Sequence, residues 1–325
     1  MLYVRFTTKI KTHFLIDLFI NPLIEIGKIM SYQQQLERIK NDTGFIAALD
    51  QSGGSTPKAL RMYGVEESEY ANDDEMFAKV HEMRTRIMTC DTFDSGRVLG
   101  AILFEDTMDR EVNGKPTANY LWEDKNIVPF LKVDKGLADE LGGVQVMKPM
   151  PNLDALLDKA KNFPIFGTKM RSVIHTATPE GIEKVVQQQF DIAKQILSKG
   201  FMPIVEPEVN IESKEKAQCE VLMKEEILRN LDRLDDDQQV MLKLTLPEEA
   251  GFFSDLINHP KVLKVVALSG GYSRDESCAR LEQNPGMIAS FSRAFTEGLS
   301  KSQTDEEFSA TIDASIDKIY NASKV

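Results

Sequence analysis

From residue 45 onward, short continuous apolar runs alternate with stretches whose apolar residues recur every three or four positions. The runs are FIAAL (45–49), VLGAILF (98–104), IVPFLKV (127–133), IFGTKMRSVI (165–174), MPIVEP (202–207), VMLKLT (240–245), VLKVVAL (262–268) and MIASF (287–291). Runs of this kind fit strands buried on both faces of a parallel sheet. Between them the period is helical. In 179–199, Ile182, Val185, Val186, Phe190, Ala193, Ile196 and Leu197 form one apolar face, with Pro179 at the first helical position and Gly200 as the stop. In 73–89 the stripe is Met76, Phe77, Val80, Met83 and Ile87. A last helix opens on Thr304 and Glu307 as a capping box and continues through Phe308, Ile312, Ile316 and Ile319. Eight β/α alternations without a Pro/Gly-rich linker predict an α/β fold, a single (β/α)8 TIM barrel over residues 30–325. A doubly wound sheet is the runner-up.

The first 29 residues break this pattern. They are basic early and apolar later, like a signal peptide, but Asp17, Pro22 and Glu25 interrupt the apolar part and no A-x-A-like cleavage site follows. The stretch is also too broken to span a bilayer. It reads as an N-terminal extension outside the fold, 1–29, with Met30 as an alternative start; an amphipathic anchor and a targeting segment are the competing readings.

Composition narrows the function. Among 325 residues, 39 Lys+Arg against 51 Asp+Glu give a net charge of −12, which argues against a nucleic-acid or anionic-membrane partner. Three dispersed cysteines, Cys90, Cys219 and Cys278, make neither a disulfide framework nor a metal motif and fit a reducing cytoplasm. With no HxH, HxxxH or CxxC pair, no metal or other cofactor is expected.

In a barrel, chemistry sits where the strands end and the βα loops open. The polar interruptions fall there: Asp50, Lys132, Lys169 and Arg171, Glu206 and Glu208, Lys243, the Ser269-Gly270-Gly271 turn, and Arg293. Alternation puts Val240, Leu242, Leu244 and Leu246 on one face of their strand and Met241, Lys243 and Thr245 on the other. If the first set meets the helices, Lys243 points into the barrel. An enclosed lysine beside other cations gives up its proton more readily, and a neutral amine can attack a carbonyl to form a Schiff base. A snorkelling or carboxylate-paired lysine is the bland alternative, and on the residues alone Lys169 is an equally permitted nucleophile. The Glu206/Glu208 pair suits acid/base work or simply holds the lysines. The backbone of 269–271 and the DQSGGS turn, with Ser52, Ser55 and Lys58, are compatible with phosphate. Two such loops and several strand-end cations point to a doubly phosphorylated small molecule.

FIAALDQSGGSTPKAL, PFLKVDKG, GTKMRS, PIVEPEV, VMLKLT, LSGGYSR and SFSRA, in this order, resemble the motifs of class I fructose-bisphosphate aldolase, bacterial branch, from about Met30 to the end. The resemblance implies a cytoplasmic, metal-independent lyase that cleaves fructose 1,6-bisphosphate reversibly to dihydroxyacetone phosphate and glyceraldehyde 3-phosphate. It implies Lys243 as the Schiff-base lysine, Glu206 as proton acceptor and donor with Glu208 beside it, and Asp50 at the C4 hydroxyl. Lys169 and Arg171 would orient that network. Ser269, Gly270, Gly271 and Arg293 resemble the C1-phosphate site, and Ser52, Ser55 and Lys132 the C6-phosphate side. Three departures stand out: Gln51 where animal members have glutamate, Ala59 where they have arginine, and Ser292 for the glycine before the phosphate-binding arginine. Nor does the chain end in the closing tyrosine of animal members; it ends NASKV. The family is often tetrameric, which leaves a homo-oligomer open. A tagatose-bisphosphate aldolase, a transaldolase and a non-catalytic barrel are the remaining readings.

Overall fold

A computed structural model describes residue 27 and residues 29–325. Nearly all of the expected extension, 1–29, lies outside the described residues. Eight parallel strands follow in chain order: β1 (Phe45–Leu49), β2 (Val98–Leu103), β3 (Val128–Lys132), β4 (Gly167–Ile174), β5 (Met202–Val209), β6 (Val240–Thr245), β7 (Val262–Leu268) and β8 (Met287–Ala289). Each pairs with the next in sequence. The backbone N–H of Ala48 donates to the Phe291 carbonyl at 3.2 Å, which brings the first strand against the end of the last. All eight strands coincide with the apolar runs, and the (β/α)8 expectation holds.

The two faces of the strands build two apolar layers. Inside the barrel, Ile46, Ala48, Val128, Phe130, Ile204, Met241, Val266 and Ile288 form one buried cluster. Outside, Val240, Leu242, Leu244 and Leu246 join the cluster that packs on the helices, so Lys243 is on the inner face as alternation requires. Gly167 is needed for this packing: a Cβ there would lie 2.2 Å from the Met202 carbonyl and 3.0 Å from Phe130 Cδ1.

A helix over residues 29–41, α1, shuts the end where the strands begin. Its Ile39 is fully buried in the inner cluster, Tyr32 packs on Phe166 with ring centroids 5.0 Å apart, and Gln35 Nε2 donates to Pro164 O at 2.8 Å. The chain terminus sits at that end too, where Gly286 N–H donates to Val325 O at 3.1 Å, just before β8. The amphipathic helices expected over 73–89 and 179–199 form as Asp73–Thr89 (α2) and Pro179–Ser198 (α3), with Lys199 as the C-cap of the latter. Asp305–Ala322 (α4) carries the Thr304/Glu307 capping box.

Candidate active site

Four inner-face side chains meet at the C-terminal mouth of the barrel. Lys169 Nζ lies 2.8 Å from Asp50 Oδ2 and 2.8 Å from Glu206 Oε2, while Lys243 Nζ lies 3.2 Å from Glu206 Oε1. All four are buried, between 3% and 7% exposed. All four lie on inner faces: Asp50 just past β1, Lys169 in β4 in register with Ile204, and Glu206 and Lys243 one inner-face position beyond Ile204 and Met241 in β5 and β6.

The two lysines are not equivalent. Burial alone would lower the Lys169 ammonium, but Asp50, Glu206 and Asp134 override it and hold that charge well above the ordinary lysine range. Among the described residues Lys243 has one carboxylate partner, Glu206. The carboxylates answer in kind. Burial pushes the Asp50 carboxyl up, and Lys169, Lys243 and Lys132 more than reverse it, leaving Asp50 ionised well below the usual range. Glu206 is held down in the same way by Lys169 and Lys243.

Lys132, at the end of β3, donates to Ser52 and lies 3.3 Å from Asp134. Burial lowers its ammonium. Ser55 belongs to the 3-10 turn Gly53–Ser55. Glu208 stands one inner-face position beyond Glu206 and engages Arg171 Nη1 at 2.9 Å, so the two glutamates have separate partners. Across the mouth, Ser269 is buried at the end of β7, and Gly270 adopts φ +62° with room for no Cβ, since Ile211 Cγ2 would be 2.7 Å away. Gly271 has φ +131°, and its absent Cβ would lie 3.6 Å from Arg293 Nη2, which places the exposed Arg293 beside the glycine turn. Successive backbone N–H groups in a tight turn can form an anion-binding concavity.

Three polar groups behind the site are absent from the sequence reading. Gln189 of α3 is fully buried; its Oε1 accepts from the Glu206 backbone N–H at 2.8 Å and its Nε2 donates to Ser172 Oγ at 3.0 Å. Arg84 of α2, also fully buried, donates to the Gln51 carbonyl at 2.5 Å and to Thr107 Oγ1 at 2.6 Å. Asp134 accepts from Gly136 N–H at 3.1 Å in addition to Lys132. Each occupies a position where a polar residue breaks an apolar stripe or follows a site lysine, a signal present in the sequence. Among the described residues no group of three or more His, Cys, Asp or Glu is placed to hold a metal ion, and no helix is long and apolar enough to cross a membrane.

Residues 32–250 match the family model described as fructose-bisphosphate aldolase class-I. The fructose-bisphosphate aldolase class 1 of Synechocystis sp. is 61% identical over 291 residues, 90% of this chain and 97% of the relative. Among solved structures, fructose-bisphosphate aldolase from Plasmodium falciparum shares the fold at TM-score 0.71 and 18% identity, over 91% of this chain and 95% of that one. A protein of Corynebacterium glutamicum aligns at TM-score 0.50 and 12% identity, over 90% and 92%.

Proposed function

The chain belongs to the class I fructose-bisphosphate aldolase family, and on that premise we propose that Lys243 is its Schiff-base lysine and Lys169 its permanent cation. The reaction is the reversible, metal-independent cleavage of fructose 1,6-bisphosphate to dihydroxyacetone phosphate and glyceraldehyde 3-phosphate through a lysine Schiff base. The observation that carries the assignment is the asymmetry of the two ammonium groups. Lys169 is clamped between two carboxylates at 2.8 Å, whereas among the described residues Lys243 makes one ion pair, with Glu206 at 3.2 Å. Two carboxylates hold the Lys169 charge well above the ordinary lysine range, so Lys169 serves as the fixed cation, and Lys243 is the other enclosed lysine that can attack a carbonyl.

Lys243 attacks the C2 ketone, and Glu206 moves the protons that convert the carbinolamine to the imine and release its hydroxyl as water. Asp50 then takes the C4 hydroxyl proton while the C3–C4 bond breaks. Its electron pair flows into the protonated imine, leaving an enamine on Lys243 and free glyceraldehyde 3-phosphate. Protonation at C3 and hydrolysis of the imine release dihydroxyacetone phosphate. Lys169 keeps Asp50 and Glu206 ionised and in place, and Arg171 holds Glu208 in place through their ion pair. Ser269, Gly270, Gly271 and Arg293 take the C1 phosphate; Ser52, Ser55 and Lys132 serve the C6 side.

The folded catalytic unit is residues 30–325. Three free cysteines and the acidic net charge fit a cytoplasmic enzyme without nucleic-acid partners. A homo-oligomer is the assembly that the family resemblance implies, and light scattering reads it. Borohydride reduction with dihydroxyacetone phosphate, followed by peptide mapping, tests the site. An adduct on Lys243 is expected; an adduct on Lys169, or full activity of Lys243→Ala, overturns the assignment.

A further inference from the structure

Two of the three departures from the family pattern touch each other. Gln51 Nε2 donates to Ser292 Oγ at 2.6 Å, across 241 positions of sequence. Gln51 stands between Asp50 and Ser52, and Ser292 immediately precedes Arg293. The direction of this bond is fixed from below. Arg84, which can only donate, approaches Gln51 Oε1 at 3.3 Å as well as its carbonyl, so the amide oxygen faces Arg84 and the amide N–H faces the serine. Ser292 Oγ is therefore an acceptor in this bond and keeps its own hydrogen. Among the described residues no protein acceptor takes that hydrogen. Ser292 is half-buried at φ −105°, so the residue sits here without the left-handed strain that a glycine would relieve.

We propose that the Ser292 hydroxyl is a further phosphate donor at the C1-phosphate corner, with its hydrogen aimed there by Gln51 and, one layer down, by Arg84. The proposal rests on reading the Gly270-Gly271 turn and Arg293 as that corner. The hydroxyl hydrogen is the group a glycine at this position would not supply. A hydrogen bond to a charged acceptor contributes about 1.5–3 kcal/mol, roughly a tenfold or greater change in affinity. Gln51 and Arg84 act through Ser292 and are positioning residues.

The test is calorimetric titration of the full chain with dihydroxyacetone phosphate, alongside the KM for glyceraldehyde 3-phosphate in condensation. Ser292→Ala should weaken dihydroxyacetone phosphate about tenfold and leave the glyceraldehyde 3-phosphate KM unchanged. Gln51→Glu replaces the donor by an acceptor, captures the serine hydrogen and should weaken the same ligand. Combined with Ser292→Ala, it should cost less than the product of the two single losses. Affinity within twofold of the parent in Ser292→Ala, or a rise confined to the glyceraldehyde 3-phosphate KM, overturns the proposal. Multiplicative losses in the double variant overturn the role of Gln51. Calorimetry reads affinity whether or not an imine forms. A missing Lys243 adduct would thus sink the site reading, while this measurement still decides Ser292.

Discussion

Replacing Lys169 by methionine keeps the length of the side chain and removes the charge that two buried carboxylates share. Asp50 and Glu206 each lose a partner at 2.8 Å, and both remain enclosed. Removing one member of a buried ion pair costs about 3–5 kcal/mol, because the other charge is left uncompensated. Asp50 loses the one ion-pair partner it has among the described residues and Glu206 keeps Lys243 at 3.2 Å, so the middle to upper part of that range applies. For a chain of this size, with an unfolding entropy of roughly 2 cal/mol/K per residue, the melting temperature should fall by about 6–8 °C at neutral pH. The effect should depend on pH in a definite direction. In the parent protein the depressed carboxyls of Asp50 and Glu206 add stability above the unfolded carboxylate range and lose it as pH falls through their folded values. The elevated Lys169 ammonium adds stability that is complete at neutral pH and is lost only at strongly alkaline pH. Without Lys169, burial and the mutual repulsion of the two carboxylates raise both of them. The deficit should then shrink as pH drops from 7 to 5 and protons neutralise the stranded charges.

Urea unfolding at several pH values reads the stability, and kcat/KM against pH reads the chemistry. Turnover should fall by about two to four orders of magnitude, as for loss of an electrostatic and proton-transfer partner. Its acid limb should move to higher pH, because Asp50 must be ionised to accept the C4 hydroxyl proton. Borohydride should still trap dihydroxyacetone phosphate on Lys243 in this variant, more slowly. An unmoved acid limb with a pH-independent stability loss would mean that Lys169 holds shape and does not set the charge of Asp50 and Glu206.

Gln189→Leu leaves the Glu206 backbone N–H without its acceptor inside α3 packing. It should cost about 1–3 kcal/mol in urea unfolding and lower kcat more than it raises KM; an unchanged kcat with normal stability would refute a positioning role. A chain beginning at Met30 keeps Gln35, Arg38 and Ile39 of α1, which seal the barrel floor. It should therefore retain full kcat/KM and thermal stability, and a loss of more than a few degrees would show that residues before Met30 contribute to the fold.

What the sequence makes legible follows from how the barrel is built. Parallel strands buried on both faces are continuous apolar runs, so all eight are visible, and an interrupting lysine or glutamate is visible against them. Alternation even tells which face Lys243 takes, because Val240, Leu242 and Leu244 have to meet helices. Depth and partnership are another matter. That Lys169 has two carboxylates and Lys243 one depends on how β1, β4, β5 and β6 stagger around a closed barrel. No local pattern encodes that stagger, which is why the residues alone permit either nucleophile. Helix α1 shows the same limit: Tyr32, Leu36 and Ile39 have helical spacing, yet among the described residues no strand precedes it to say that it lies under the barrel. The buried polar groups sit between these cases. Arg84 falls one turn after Val80 on an otherwise apolar stripe, and Gln189 falls between Val186 and Phe190, so both betray burial. Their targets, Gln51 and the Glu206 backbone, become visible only in three dimensions. The Gln51–Ser292 bond carries the point furthest. Read along the chain, each residue is only a departure from the family pattern; brought together where β8 returns to β1, they become one hydrogen-bonded unit.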